Sequence, residues 1–138
     1  NIGSWEKLEN GQKFAILATG SMVNVAHESI SEIKQKFNFT PTLINCRFIK
    51  PFDKKLLDEI IKTHQNIITI EEGILCGGFG SSIINYTKNM NINVYSMGIK
   101  DEYIEHGTRQ ELLDLVGLNK DSLINLIQDI QNNNSGGD

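Results

Sequence analysis

The sequence predicts an α/β domain: three αβα layers around a mainly parallel sheet of four to five strands, with a candidate antiparallel edge strand at the front. Three observations carry this reading. Short β-branched runs alternate with longer stretches of helical period, and turn residues bound most of the runs. One run, Phe14–Thr19, is almost wholly apolar, as a strand covered on both faces must be. Parallel strands also need crossover connections, and the helical stretches supply them.

The elements follow in order. Trp5-Glu6-Lys7-Leu8 and the Phe14 run flank Asn10-Gly11, a dipeptide suited to positive φ, which makes Trp5–Leu8 the candidate edge strand. Phe14-Ala15-Ile16-Leu17-Ala18-Thr19, between Gly11 and Gly20, is the first buried strand. Val23, Ala26, Ile30, Ile33 and Phe37 then recur every three or four residues and form one face of a helix. Thr42-Leu43-Ile44-Asn45-Cys46 follows Thr40-Pro41 as the next strand. Lys54 to His64 carries Leu57, Ile60 and Ile61 on a helical face, with Asp53 at the N-cap position just after Pro51-Phe52. Asn66–Glu71 is the third strand, Phe79–Asn89 the third helix and Ile92–Met97 the fourth strand. Two short helices are expected near Arg109–Val116 and Ser122–Ile130, parted by Gly117. Residues 1–131 therefore make one domain. The tail Asn132–Asp138 has no apolar side chain to bury and is expected to be disordered.

Composition narrows the function classes. A chain of 138 residues is one domain in length, and it begins with Asn1 rather than Met, as part of a longer protein would. Hydrophobic residues at 39% and charged residues at 22% exclude a membrane protein and a wholly disordered one. No run is apolar enough to span a bilayer, and no secretory leader is evident. The net charge of −4, without a Lys/Arg cluster, argues against nucleic acid as a partner. Cys46 and Cys76 form neither a metal-like pair nor a disulfide framework, which favours a reducing compartment.

In open α/β sheets, ligands bind beyond the carboxyl ends of the strands. Four segments occupy that edge: Thr19-Gly20-Ser21, Cys46 to Pro51, Glu71 to Ser82, and Gly98 to Gly107. Gly77-Gly78-Phe79-Gly80-Ser81-Ser82 follows a strand and opens a helix, so its N–H groups could receive a phosphate. It does not follow the dinucleotide fingerprint, and a loop of small residues for close helix–sheet packing is the stronger reading. Glu71 and Glu72 are adjacent, so strand alternation sends them to opposite sides and they form no acid–base dyad; either could reach a loop N–H, a Lys or a partner chain. Arg47 and Lys50 could hold an anion or make an interface salt bridge. His106, before Gly107, could titrate near neutrality but has no nucleophile or metal partner at readable spacing. His27 and His64 read as surface or boundary residues, and neither cysteine has an activating neighbour. Read bottom-up, the strand-end residues Arg47, Lys50, Glu71, Glu72, Gly78, Gly80, Ser81 and His106 mark an edge or interface without a complete active site.

The same segments, taken in order, resemble a known family. Ala15–Met22 (Ala-Ile-Leu-Ala-Thr-Gly-Ser-Met), Asn45–Asp53 (Asn-Cys-Arg-Phe-Ile-Lys-Pro-Phe-Asp), Ile70–Gly73 with Gly77–Ser81, and Gly98–Gly107 together resemble the C-terminal domain of transketolase-like thiamine-diphosphate enzymes. Within these, the 1-deoxy-D-xylulose-5-phosphate synthases are the most similar. The similarity runs to about Ile130. It implies an enzyme that joins decarboxylated pyruvate to glyceraldehyde 3-phosphate, working as a homodimer. Thiamine diphosphate and Mg²⁺ would sit between the two preceding domains. This domain would pack on the pyrimidine-binding domain and contribute no catalytic, cofactor-binding or metal residue. Asn45 stands where the family usually has an acidic residue, and Lys100 where it has proline. The implied location is the cytoplasm, or a plastid-type organelle in a eukaryote. An exposed apolar patch is expected where a neighbouring domain would sit. A transketolase or 2-oxo-acid dehydrogenase β-subunit domain, and a free-standing anion- or nucleotide-binding module, are the competing readings.

Overall fold

Alternation along each buried strand puts one set of apolar side chains on either face of the sheet, and helices cover both. The computed structural model describes residues 4–47, 52–71, 78–98, 110–114 and 119–136. Their elements are β1 (Glu6–Glu9), β2 (Phe14–Ala18), α1 (Met22–Phe37), β3 (Thr42–Asn45), α2 (Lys54–Thr63), β4 (Asn66–Ile70), α3 (Gly78–Thr87), β5 (Asn93–Gly98), β6 (Gln110–Asp114) and α4 (Lys120–Gly136). One sheet runs in the order β1-β3-β2-β4-β5-β6. All neighbours are parallel except β1, which pairs antiparallel with β3, Glu6 opposite Asn45.

Phe14, Ile16 and Ala18 of β2 face α1 and α4, where Ala26, Ile33, Ile124 and Ile127 close the layer. Ala15 and Leu17 face α2 and α3, against Leu57, Ile60, Ile83 and Ile84. Each of these Leu and Ile side chains is essentially out of water, which stabilises by about 1.5–3 kcal/mol per side chain relative to exposure. The crossover from β2 leads one way, to β3, and that from β4 leads the other way, to β5. The carboxyl ends of β2 and β4 are therefore the topological switch point. There the Thr19 N–H donates to the Ile70 carbonyl at 3.1 Å, and the Glu71 N–H to that of Met97 at 3.2 Å.

Several expectations change. The sheet has six strands rather than four or five. Gln110–Asp114 is a strand, not part of a helix near Arg109–Val116. The outer edge of β5 offers unpaired backbone groups that five extended residues satisfy, whereas so short a helix gains little on its own. The edge strand is present and antiparallel, but its partner is β3 and not the Phe14 run. Asn10-Gly11 is accordingly no tight hairpin. The left-handed residue in that connection is Lys13, at φ 71°. Gly11 is glycine for want of space, since a Cβ would run into the Thr40 carbonyl and sit 2.5 Å from Pro41 C. Finally, α4 continues beyond Ile130 to Gly136, through most of the tail expected to be disordered. A helix already docked by Leu123, Ile124, Ile127 and Ile130 can extend past them, and Gln128 Nε2 bridges to Asn132 Oδ1 at 3.3 Å.

Candidate functional site

Strand parity selects the side chains at the switch point. Ile67 of β4 points to the α2–α3 layer, so Thr69 and Glu71 do as well. Glu71 is buried, and its carboxylate receives the first turn of α3. Oε1 accepts from the Phe79 N–H at 3.3 Å and Oε2 from the Gly80 N–H at 2.7 Å. A negative group at a helix N-terminus satisfies open N–H donors and meets the positive end of the dipole. The niche in which a phosphate would bind is thus filled by the chain's own side chain.

The same parity puts Ser96 of β5 beside Thr69, whose hydroxyl donates to Ser96 Oγ at 2.7 Å. A Cβ on Gly80 would collide with Ser96 Oγ and lie 2.9 Å from both Ser96 Cβ and Glu71 Oε2. Gly80 is therefore needed for close helix–sheet approach. Gly78, by contrast, is exposed, and a Cβ there would meet nothing within 4 Å among the described residues. Ser81 Oγ is buried with no hydrogen-bond partner among the described residues. Neither Thr69 nor Ser96 stands out in the sequence; only their places in register on two neighbouring strands bring them under α3.

Beside this cap lies a second cluster, where the chain enters the sheet. Asp53 caps α2 by accepting from the Leu56 N–H at 3.1 Å through Oδ1, while Oδ2 accepts from the Trp5 N–H at 3.0 Å. The buried Trp5 ring packs edge-on to Phe79 at 5.9 Å and against Phe52 at 6.3 Å. Arg47 Nη2 donates to the Ser4 carbonyl at 3.2 Å. Cys46, next to Arg47, is buried, and burial pushes its thiol well above its ordinary value, so it is a poor nucleophile. The expected site residues thus divide. Arg47, Glu71, Gly78, Gly80 and Ser81 lie together at the carboxyl edge, and Lys50, Glu72 and His106 lie outside the described residues.

The opposite edge holds two open cavities, about 510 Å³ beside Lys62, Gln65 and Asn91 and about 300 Å³ beside Lys7, Gly11 and Glu59. His64, half-buried, borders both. Its Nδ1 is 3.3 Å from the Ile60 carbonyl, which can only accept, so Nδ1 is assigned the hydrogen. Nε2 then accepts from Thr42 Oγ1 at 2.7 Å, and that oxygen accepts from the Gly11 N–H at 3.0 Å. Burial lowers the His64 pKa from its ordinary value, as the second largest influence, the Ile60 carbonyl, opposes it.

Among the described residues no three His, Cys, Asp or Glu side chains are grouped to hold a metal ion. With Glu71 in the helix niche, the described residues do not fit the diphosphate or the Mg²⁺ of a thiamine cofactor. Among the described residues the exposed large apolar side chains are Leu8 on β1 and Met90 after α3.

A family model described as the C-terminal domain of transketolase matches residues 3–123. The chain is similar to the 1-deoxy-D-xylulose-5-phosphate synthase of Clostridium tetani, with 41% identity over 124 residues, covering 88% of this chain and 20% of the relative. It is 37% identical over 132 residues to the synthase of a Geobacillus species, covering 94% and 21%. The chain thus spans about a fifth of the length of these curated relatives. Among solved structures, a split-gene transketolase in an inactive β4 tetramer superposes with a TM-score of 0.75 at 22% identity, over 94% of this chain and 42% of that one. A 2-oxoglutarate:ferredoxin oxidoreductase from Magnetococcus marinus gives 0.57 at 12% identity, over 91% and 19%. These two likenesses establish the fold.

Proposed function

The chain belongs to the transketolase C-terminal domain family, and on that premise we propose that it is the C-terminal domain of a 1-deoxy-D-xylulose-5-phosphate synthase. The whole protein would convert pyruvate and glyceraldehyde 3-phosphate to 1-deoxy-D-xylulose 5-phosphate and CO₂. It would act as a cytoplasmic homodimer, with thiamine diphosphate and Mg²⁺ held by the preceding domains. Thiamine diphosphate supplies the carbanion chemistry at pyruvate when bound. This chain's residues do something else: they fold an independent two-faced core and present a strand-end edge to the pyrimidine-binding domain. No helix among the described residues is long and apolar enough to cross a membrane.

The observation that carries this reading is the Glu71 carboxylate on the Phe79 and Gly80 N–H groups. It turns the Gly-rich segment into an internal brace, which favours a structural domain over an anion- or nucleotide-binding module. Identities of 36–41% to synthases over most of the chain favour that enzyme over a transketolase or a dehydrogenase β subunit. The test is an assay of the full-length polypeptide. Expected are product from pyruvate and glyceraldehyde 3-phosphate, and no calorimetric heat when thiamine diphosphate is added to residues 1–138 alone. Ketose-to-aldose transfer without pyruvate turnover would favour a transketolase. Micromolar cofactor binding to the short chain would overturn the assignment of roles.

A further inference from the structure

We infer that the start of α2 and the surface beside it, at the carboxyl edge of the sheet, seat an acidic face of the polypeptide that precedes Ser4. This rests on the reading of the chain as the last domain of a longer enzyme. Because β1 is antiparallel to β3, with Glu6 opposite Asn45, residues before β1 arrive at the carboxyl edge and not at the edge that holds the cavities.

That arrival is held firmly. Asp53 uses one carboxylate oxygen on the α2 cap and the other on the Trp5 N–H, Arg47 donates to the Ser4 carbonyl, and Phe52 and Phe79 pack the Trp5 ring. Ser4 and Trp5 thus stand beside both helix starts. The relatives are about five times the length of this chain, so a large body has to be placed from there.

The charge at the same spot identifies the chemistry of its occupant. α2 opens with exposed Lys54 and Lys55 and has no acidic residue in its first turn. Cations at a helix N-terminus oppose the dipole. The cap carboxylate of Asp53 is already taken by two N–H groups. Neither Lys54 nor Lys55 makes an ion pair among the described residues. The two lysines make a positive spot beside the clamp, on a chain whose net charge is −4. An acidic partner face would turn this local cost into complementarity and set the register of docking.

The test uses the full-length polypeptide with Cys76 replaced by Ser. Single cysteines are introduced at exposed positions, Ser21→Cys and Gly78→Cys on the carboxyl edge and Gln65→Cys and Asn91→Cys on the other. Maleimide labelling is read by peptide mass spectrometry. The expected result is labelling about tenfold slower at 21 and 78 than at 65 and 91, because an interface closes them to reagent. The double variant K54E/K55E should then raise labelling at 78 several-fold while leaving the melting temperature equal or higher, since the new charges suit the helix dipole. Equal labelling at all four sites, slow labelling at 65 and 91, or no response to the charge reversal would each overturn the inference. Product formation is measured on the same samples. Protection without turnover would count against the synthase reading alone, and turnover without protection against the docking face alone.

Discussion

Glu71 Oε2 lies 2.7 Å from the backbone nitrogen of Gly80, so the last side chain of the β4 segment and the first turn of α3 are one unit. Glu71→Ala would leave two buried N–H groups without their acceptor and should cost about 2–3 kcal/mol in urea denaturation. Glu71→Gln keeps one carbonyl oxygen and should cost less. Phosphate added to the alanine variant should raise its melting temperature by filling the vacated niche. A comparable rise in the unaltered protein would show that the helix end is open to anions after all.

Gly80 and Gly78 should respond in opposite ways. A methyl at Gly80 meets Ser96 Oγ, Ser96 Cβ and Glu71 Oε2, and Gly80→Ala should lose about 1–3 kcal/mol by overpacking. A Cβ on Gly78 would meet nothing within 4 Å among the described residues, so Gly78→Ala, inside α3, should be neutral or gain about 0.5–1 kcal/mol. Adding Ser96→Ala to Gly80→Ala should recover part of the loss, because it removes the hydroxyl and leaves the Cβ contact. Thermal melts of the double-mutant cycle read this coupling directly.

His64 makes stability depend on pH. Its folded pKa lies below the ordinary 6.5, chiefly through burial, so over that interval the unfolded chain binds more protons than the folded one. Stability from this group is fully present above pH 6.5 and is lost as pH falls through 6.5 toward the folded value. Urea midpoints measured between about pH 7.5 and 5.5 should fall on acidification, and His64→Gln should flatten that slope. An unchanged slope in the variant would remove His64 from the account.

Asp53 serves two N–H groups, and the single tryptophan reports on one of them. Asp53→Asn can keep Oδ1 on Leu56 while offering no acceptor to Trp5. A red-shifted Trp5 emission, easier acrylamide quenching and a loss of about 1 kcal/mol are expected. Asp53→Ala also loses the cap and should cost about 1 kcal/mol more. Unaltered quenching in both variants would show that the aromatic contacts alone hold Trp5.

The parts of this architecture legible in the sequence are those set by local pattern. Phe14–Ala18 reads as a central strand because every position is apolar, and Asp53 reads as a cap because it precedes a helical period. Arg47, Glu71 and Gly80 fall on one sheet edge for the same reason, since each follows a strand. Pairing across distance was less legible. Leu112 and Leu113 suit a helix or a strand equally, and only the open edge of β5 decides. The Glu71 contact was one of several open choices, and the Thr42–His64 bond joins residues 22 apart with no local signature. Lys13 takes the left-handed turn expected of Asn10-Gly11 because β1 reaches past β2 to β3.

That reach also orders events in time. The bond from Trp5 to Asp53 spans 48 residues and that from Arg47 to Ser4 spans 43. Closing loops of this length costs entropy before any contact repays it. Synthesis delivers β1 before β2, α1 and β3, so the strand that leaves the ribosome earliest must wait for the third strand before it can pair. The Asp53 carboxylate that receives the Trp5 N–H in the folded domain arrives later still, at the start of α2.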